Sequence, residues 1–247
     1  MIPKERTAVV TGALGVLGKA IVEGLLKDDC RIVLIDLDQE KLNDYSRSLP
    51  QGKTLALACD IGNYAAVEAA INKIHDVWGT VDVLVNNAGI LSNNKAETTS
   101  PDEWHKILAV NLDGAFYFSR ALMGDMKKTG WGRIIVITSL AAKTGGITAG
   151  TTYAVSKGAL ISLTFSLAAE LAPFGVTVNG IAPAYIKTPM VTVQLSAEQQ
   201  QQLLQKIPVR RFCDAEEVAH TVRFLAHPLA GFITGEIIDQ NGGLQFD

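Results

Sequence analysis

Seven short apolar runs recur along this 247-residue chain, and segments of helix length separate most of them. The predicted strands are Thr7–Thr11, Arg31–Asp36, Thr54–Cys59, Val81–Asn86, Arg133–Ser139, Thr177–Ile181 and Glu236–Asp239. The predicted helices are Leu17–Lys27, Asp38–Ser48, Tyr64–Val77, Pro101–Lys128, Thr152–Leu171 and Asp214–Ala226. The strand runs are continuously apolar, as in Ile32-Val33-Leu34-Ile35 and Ile134-Ile135-Val136-Ile137, and do not alternate with polar residues. Continuous runs belong to parallel strands covered on both faces. The expectation is an α/β fold: a doubly wound parallel sheet of about seven strands with helices on both faces.

No repeat or linker interrupts the alternation, so residues 1–247 read as one domain. The one irregular stretch, Pro183 to Pro208, carries Gln199–Gln202 and reads as a charge-poor helix on a flap, a mobile substrate lid around residues 184–208. Ser100-Pro101-Asp102-Glu103 has the order of an N-cap, a first-turn proline and a capping-box glutamate, and Asp214 with Glu217 repeats the pattern. The long Pro101–Lys128 segment is expected to break or bend near Asn111.

With 48% hydrophobic and 19% charged residues, the composition is that of a soluble globular protein. A net charge of -3 gives no electrostatic footprint for nucleic acid or an anionic membrane. No uninterrupted apolar run approaches the roughly 20 residues that span a bilayer, and the N-terminus lacks a signal peptide's apolar stretch. Cys30, Cys59 and Cys213 are scattered and odd in number, without metal-ligand spacing, so no metal is expected. A reducing, cytoplasmic setting is the default.

The first predicted strand runs into Thr11-Gly12-Ala13-Leu14-Gly15-Val16-Leu17-Gly18. Glycines at such a turn let backbone approach a pyrophosphate, and the helix amino end adds unpaired N–H groups and partial positive charge. Asp36, at the end of the second strand, can accept both ribose hydroxyls of an adenosine and would repel a 2′-phosphate. No arginine follows in Leu37-Asp38, which favours NAD over NADP. Asp60 could accept from an adenine amino group, with Ile61 packing on the ring, or could cap the helix that follows. Further along, Tyr153 and Lys157 stand four residues apart in one predicted helix and share a face. A fixed cation there favours the phenolate and draws the phenol pKa toward the working range.

Asn86-Asn87-Ala88-Gly89, Asn111, Ser139, Tyr153-x-x-x-Lys157, Asn179-Gly-Ile-Ala-Pro183 and Thr188-Pro189-Met190 occur in the order of the short-chain dehydrogenase/reductase family, which the chain resembles from Thr7 to Gly243. The resemblance implies a Rossmann-type fold, with Tyr153 as general acid/base and Lys157 holding the nicotinamide ribose. It implies that Ser139 binds the substrate oxygen and that Asn111 anchors a water in a proton relay. It places the cofactor along Gly12, Leu14, Gly15, Val16 and Leu17, then Asp36, Leu37, Asp60 and Ile61. The remaining implied contacts are Asn87, Ala88, Gly89, Tyr153, Lys157, Pro183, Ile186 and Thr188. Three departures stand out. Val16 occupies the usual second-glycine position, Ser139 lies fourteen residues before Tyr153 rather than thirteen, and Ala184 replaces a common glycine.

The expected activity is NAD-dependent interconversion of a secondary alcohol and a ketone, with a small polyol, sugar-derived or hydroxy compound as substrate. The alternatives are a 3-oxoacyl thioester reductase, a non-net-redox enzyme that keeps its NAD, and a non-catalytic dinucleotide sensor. Family members of this size commonly form homotetramers through the two long helices and the last strand, and Phe116, Phe118, Leu163 and Phe165 are compatible with that or with core packing. Expected substrate-pocket residues are Ile90, Leu91, Ala141, Ala142, Ile147, Thr148 and Tyr185.

Overall fold

A strand hydrogen-bonded on both sides and covered on both faces must be apolar throughout, and β1 (Arg6–Thr11) is buried from Thr7 onward. In the computed structural model, which describes residues 5–146, 148–188 and 196–246, β1 pairs with β2 (Cys30–Asp36) and with β4 (Val83–Asn86). The sheet extends through β3 (Thr54–Ala58) on one side, and through β5 (Gly132–Ile137), β6 (Val176–Pro183) and β7 (Ile237–Gln240) on the other. Every pairing is parallel, in the order β3-β2-β1-β4-β5-β6-β7. The order reverses between β1 and β4, and a crevice for ligand opens at the carboxyl ends of strands at such a switch point.

The helices are α1 (Val16–Leu26), α2 (Gln39–Ser48), α3 (Tyr64–Trp78), α4 (Pro101–Leu108), α5 (Gly114–Thr129), α6 (Ala141–Thr144), α7 (Thr151–Leu171), α8 (Ala197–Lys206) and α9 (Ala215–Ala226). Side chains of one strand point to opposite faces in turn. Val9, Val33, Leu84 and Val136 therefore pack with α3, α5 and α7, while Val10, Leu34, Val85 and Ile135 pack with α1, α2 and α9. Two cores, one per face, explain the continuous apolar runs. Each fully buried Val, Leu or Ile contributes about 1.5–3 kcal/mol.

The expected break in the Pro101–Lys128 segment is a π-helical turn, Ala109–Asp113, with Asn111 at its centre and buried. The first strand ends and the last strand starts within a residue or so of expectation, but β4 begins at Val83 because the Asp82 carboxylate takes the Thr7 N–H at 2.8 Å. β3 is a half-exposed edge strand and stops at Ala58. Ser100 caps α4 as expected, accepting from Glu103 N at 3.2 Å. The Glu103 carboxylate does not close the capping box; it accepts from Ser92 and Asn94 instead. At α9 the box is complete, with Glu217 accepting from Asp214 N at 2.9 Å.

Residues Thr151–Phe174 have the length and mean hydropathy, 1.3, of a membrane-spanning helix. That qualifies the expectation from uninterrupted runs, because Ser, Thr and Lys break the run without lowering its average. Thr152, Ser156, Lys157 and Leu160 are nonetheless buried inside the protein, as on a core helix. In the expected lid, α8 forms over the glutamine-rich segment. Ile147, Pro189 and Met190 lie outside the described residues.

Candidate active site

The β1–α1 turn is shaped by two close approaches. A Cβ on Gly12, whose φ is +67°, would stand 2.8 Å from Ala88 Cα, and one on Gly18 would stand 2.0 Å from Gly12 O. Neither position admits a side chain. Gly15 is different: among the described residues its only close neighbour at that point would be Gly12 O at 3.5 Å. It serves as the N-cap of α1, with no side-chain cap and no acidic residue in the first turn. The amino end of α1 thus keeps N–H groups and positive dipole for an anion. Val16 opens the helix, partly exposed at this end, and Leu17 is half-buried behind it.

Asp36 reaches this turn from β2. Its Oδ2 accepts from Leu14 N at 2.9 Å and its Oδ1 from Leu37 N at 2.8 Å. A carboxylate has about four lone-pair sites, so both oxygens can still receive a ribose hydroxyl. Asp60 is exposed at the end of β3 and accepts from Gly62 N at 3.0 Å. Asn63, and not Asp60, caps α3, accepting from Ala66 N at 3.2 Å. Ile61 is buried in the core against Gly114, where a Cβ would stand 2.7 Å from it.

Asn87 supports the same turn from below, its Nδ2 donating to Thr11 O at 2.9 Å and Gly12 O at 3.1 Å. Thr11 Oγ1 accepts from Asn87 N and Ala88 N at 3.0 and 3.1 Å. Thr11 was not singled out from sequence, although a hydroxyl at the end of a central strand is a usable signal. Pro183 ends β6, where its carbonyl accepts from Leu140 N at 2.9 Å. Ile186 forms an isolated parallel bridge with Cys213, and Thr188 closes that described segment.

Ser139, Tyr153, Lys157 and Asn111 meet at the carboxyl end of β5. Ser139 follows β5 out of the ladder, and its Oγ accepts from Ala141 N at 3.1 Å. The Ser139 side chain lies near enough to the Tyr153 hydroxyl to act on its titration. Lys157 is 3% exposed; its Nζ lies 5.9 Å from the Tyr153 ring centre and donates to Ile137 O at 2.8 Å. Burial pulls the Lys157 ammonium down to about 8. Burial also pushes the Tyr153 phenol up, against the lowering effect of the nearby Ser139 hydroxyl. The expected depression of the tyrosine pKa is therefore absent in the protein alone, where burial of the phenol outweighs the lowering influence on it. Gly89 leaves room beside the cluster: a Cβ would stand 3.3 Å from Lys157 Nζ and 3.4 Å from Asn111 Oδ1.

The Asn111 carboxamide is fully engaged. Oδ1 accepts from Ile90 N at 2.8 Å, while Nδ2 donates to Ile90 O at 3.1 Å and Ser156 Oγ at 3.0 Å. Around the mouth, Thr148 Oγ1 and Tyr185 OH are 3.1 Å apart. Lys95, which carried no signal in the sequence, donates to Gly146 O at 2.7 Å and Ala149 O at 2.6 Å. It fixes the loop that the extra residue between Ser139 and Tyr153 lengthens.

A phosphate-binding turn at a switch point, beside a Ser, Tyr and Lys cluster, defines a dinucleotide-dependent oxidoreductase site. Comparison with known proteins agrees. The family sequence model described as enoyl-(acyl carrier protein) reductase matches residues 12–245. An uncharacterized short-chain type dehydrogenase/reductase of Sinorhizobium fredii is 32% identical over 99% of each chain. The 3-oxoacyl-[acyl-carrier-protein] reductase of Escherichia coli K12 is 38% identical over 97% of each. The crystal structure of a 3-oxoacyl-[acyl-carrier protein] reductase from Brucella melitensis superposes with a TM-score of 0.92, at 32% identity, covering 98% of this chain and 92% of that one. The chain belongs to the short-chain dehydrogenase/reductase family.

Proposed function

We propose that the protein interconverts a secondary alcohol and a ketone with NAD as hydride carrier, and that the Ser139–Tyr153–Lys157 cluster manages the proton. The observation that carries this reading is the buried Lys157, its Nζ 5.9 Å from the Tyr153 ring centre, with Ser139 acting on the same phenol from the end of β5. The turn at Gly12 to Leu17 would hold the pyrophosphate, Asp36 the adenosine ribose, and Lys157 the second ribose. NAD supplies the hydride acceptor or donor. The substrate oxygen sits between Ser139 Oγ and Tyr153 Oη. Ser139 donates to it as charge develops, and Tyr153 takes or returns the hydroxyl proton. A positive charge arriving with the oxidised cofactor would restore the downward pull on the phenol pKa that the protein alone lacks. Lys157 would pass the proton toward the π-turn, where Asn111 stands and a water could lead it to solvent.

Asp36 supports NAD over NADP, because a 2′-phosphate beside this carboxylate meets like charge, and neither Gly15 nor Leu37 offers a cation to receive it. The mouth, with the Thr148 and Tyr185 hydroxyls, suits a small polyol or hydroxy compound. A second reading, reduction of a 3-oxoacyl thioester, is favoured by what the Escherichia coli and Brucella relatives are named for. Delivery on an acidic carrier is opposed by the net charge of -3 and by Lys127, which is paired with Glu170 at 2.8 Å. As a single-domain cytoplasmic enzyme of this family, the chain would form a homotetramer. The apolar faces it would bury include Phe116, Val155 and Phe165 on α5 and α7, and Phe232 beside β7.

The deciding experiment follows NADH and NADPH absorbance across small polyols, hydroxy acids and acetoacetyl and crotonyl thioesters, with wild type and Tyr153→Phe in parallel. The expected result is NAD-linked turnover of a small secondary alcohol, about 10³-fold weaker in Tyr153→Phe with dinucleotide affinity kept. Undiminished turnover in Tyr153→Phe rejects the proton assignment. Acetoacetyl thioester as the best substrate establishes the second reading.

A further inference from the structure

Between Tyr153 and Lys157 lies a hydroxyl that the chemistry above leaves idle. Ser156 is 0% exposed, and its Oγ makes two bonds. It donates to Tyr153 O at 2.8 Å, inside the first turn of α7, and accepts from Asn111 Nδ2 at 3.0 Å, across to the π-turn. Asn111 in turn clasps both backbone groups of Ile90, on the segment that follows Gly89. One continuous hydrogen-bonded chain thus runs from the loop after β4, through the π-turn, to the backbone of Tyr153.

We propose that Ser156 is a positioning residue: it fixes the turn carrying Tyr153 and Lys157 against Asn111, and so sets how closely the ammonium and the phenol face one another. Several points favour a specific role over ordinary helix packing. The Asn111 carboxamide has no spare donor, so the Ser156 bond is its only link to α7 through that group. Within the turn, the Lys157 ammonium is anchored by Ile137 O at the end of β5. Lys157 is thus held from the end of β5, and where the Tyr153 side chain stands relative to it depends on what holds the turn itself. The inference rests on the proton-transfer reading of Tyr153.

The test requires no substrate. The phenolate absorbance of Tyr153 is isolated in the near ultraviolet by subtracting the Tyr153→Phe titration from that of the parent, with saturating NAD present. Ser156→Ala removes one oxygen and introduces a strong helix former, and thermal melts confirm its fold. It is expected to raise the Tyr153 pKa by about one unit. Asn111→Ala should produce a shift of the same size, and the double variant no further shift, because both break a single chain. Ser156→Thr, which keeps a hydroxyl able to bond a carbonyl within the helix, should return the titration to the parent value. An unmoved titration in Ser156→Ala overturns the proposal, as do additive shifts in the double variant. If Tyr153→Phe keeps full turnover in the substrate panel, the reading of the site fails instead. If Tyr153→Phe is inactive while Ser156→Ala titrates like wild type, only the role of Ser156 falls.

Discussion

Lys157 should make the protein more stable as the pH rises above neutrality, contrary to the behaviour of an ordinary surface lysine. Its ammonium is buried without a carboxylate partner among the described residues, and the folded-state pKa is about 8 against an ordinary value of 10.5. Between those two values the unfolded chain holds the proton while the folded chain has released it. Stability therefore increases with pH across that window and is lost as pH falls back through the folded pKa. The difference of about 2.5 units corresponds to about 3 kcal/mol, most of it developed between about pH 7 and pH 10. The perturbation is Lys157→Met, which keeps the length of the side chain and removes the charge. Denaturant unfolding of the cofactor-free protein is measured at several pH values in that range for wild type and variant. Other titrating groups are common to both and cancel in the difference. Wild type should gain about 2–3 kcal/mol on the variant from the lower to the upper pH. Parallel stability curves would refute the reasoning and imply that water or a neighbouring group keeps the ammonium charged.

The remaining expectations concern the cofactor turn and the mouth. Asp36→Ala should narrow the preference for NAD over NADP at least tenfold in competitive binding, while an unchanged ratio would count against the ribose assignment. Gly18→Ala forces a Cβ to within 2.0 Å of Gly12 O, so dinucleotide affinity should drop sharply with a lowered melting temperature, and an unaltered Kd by calorimetry would contradict the close approach. Lys95→Met releases Gly146 O and Ala149 O. It should raise KM for the substrate several-fold with little effect on kcat, and an equal fall in kcat with unchanged KM would show that the loop acts on the chemistry instead.

The sheet was legible because each strand feeds two cores, which makes the apolar runs continuous and hard to confuse with half-buried strands. Tyr153 and Lys157 were legible because one helical turn fixes their common face whatever surrounds it. What stayed hidden depends on distant partners. Ser156 in a helix reads as a neutral residue until Asn111 is brought beside it from 45 positions away. Lys95 looks like any solvated lysine until the chain folds two carbonyls, 51 and 54 positions on, over its end. Glu103 had the spacing of a capping-box member, but Ser92 and Asn94 offered its carboxylate better donors. The bend near Asn111 was readable, yet its π form was not, because one widened turn leaves no periodicity of its own. The rise in the Tyr153 pKa without cofactor is hidden for a related reason: sequence spacing supplies a cation but says nothing of how far the phenol itself is buried.

The double grip of Asp36 on Leu14 and Leu37 has a bearing on how quickly a nucleotide could settle. A glycine-rich hairpin of this kind would otherwise sample many shapes, and an incoming ligand would have to freeze them. Here the acid has already done so from the neighbouring strand. Association then requires little reordering of the loop, and less of the contact energy is lost to immobilising backbone.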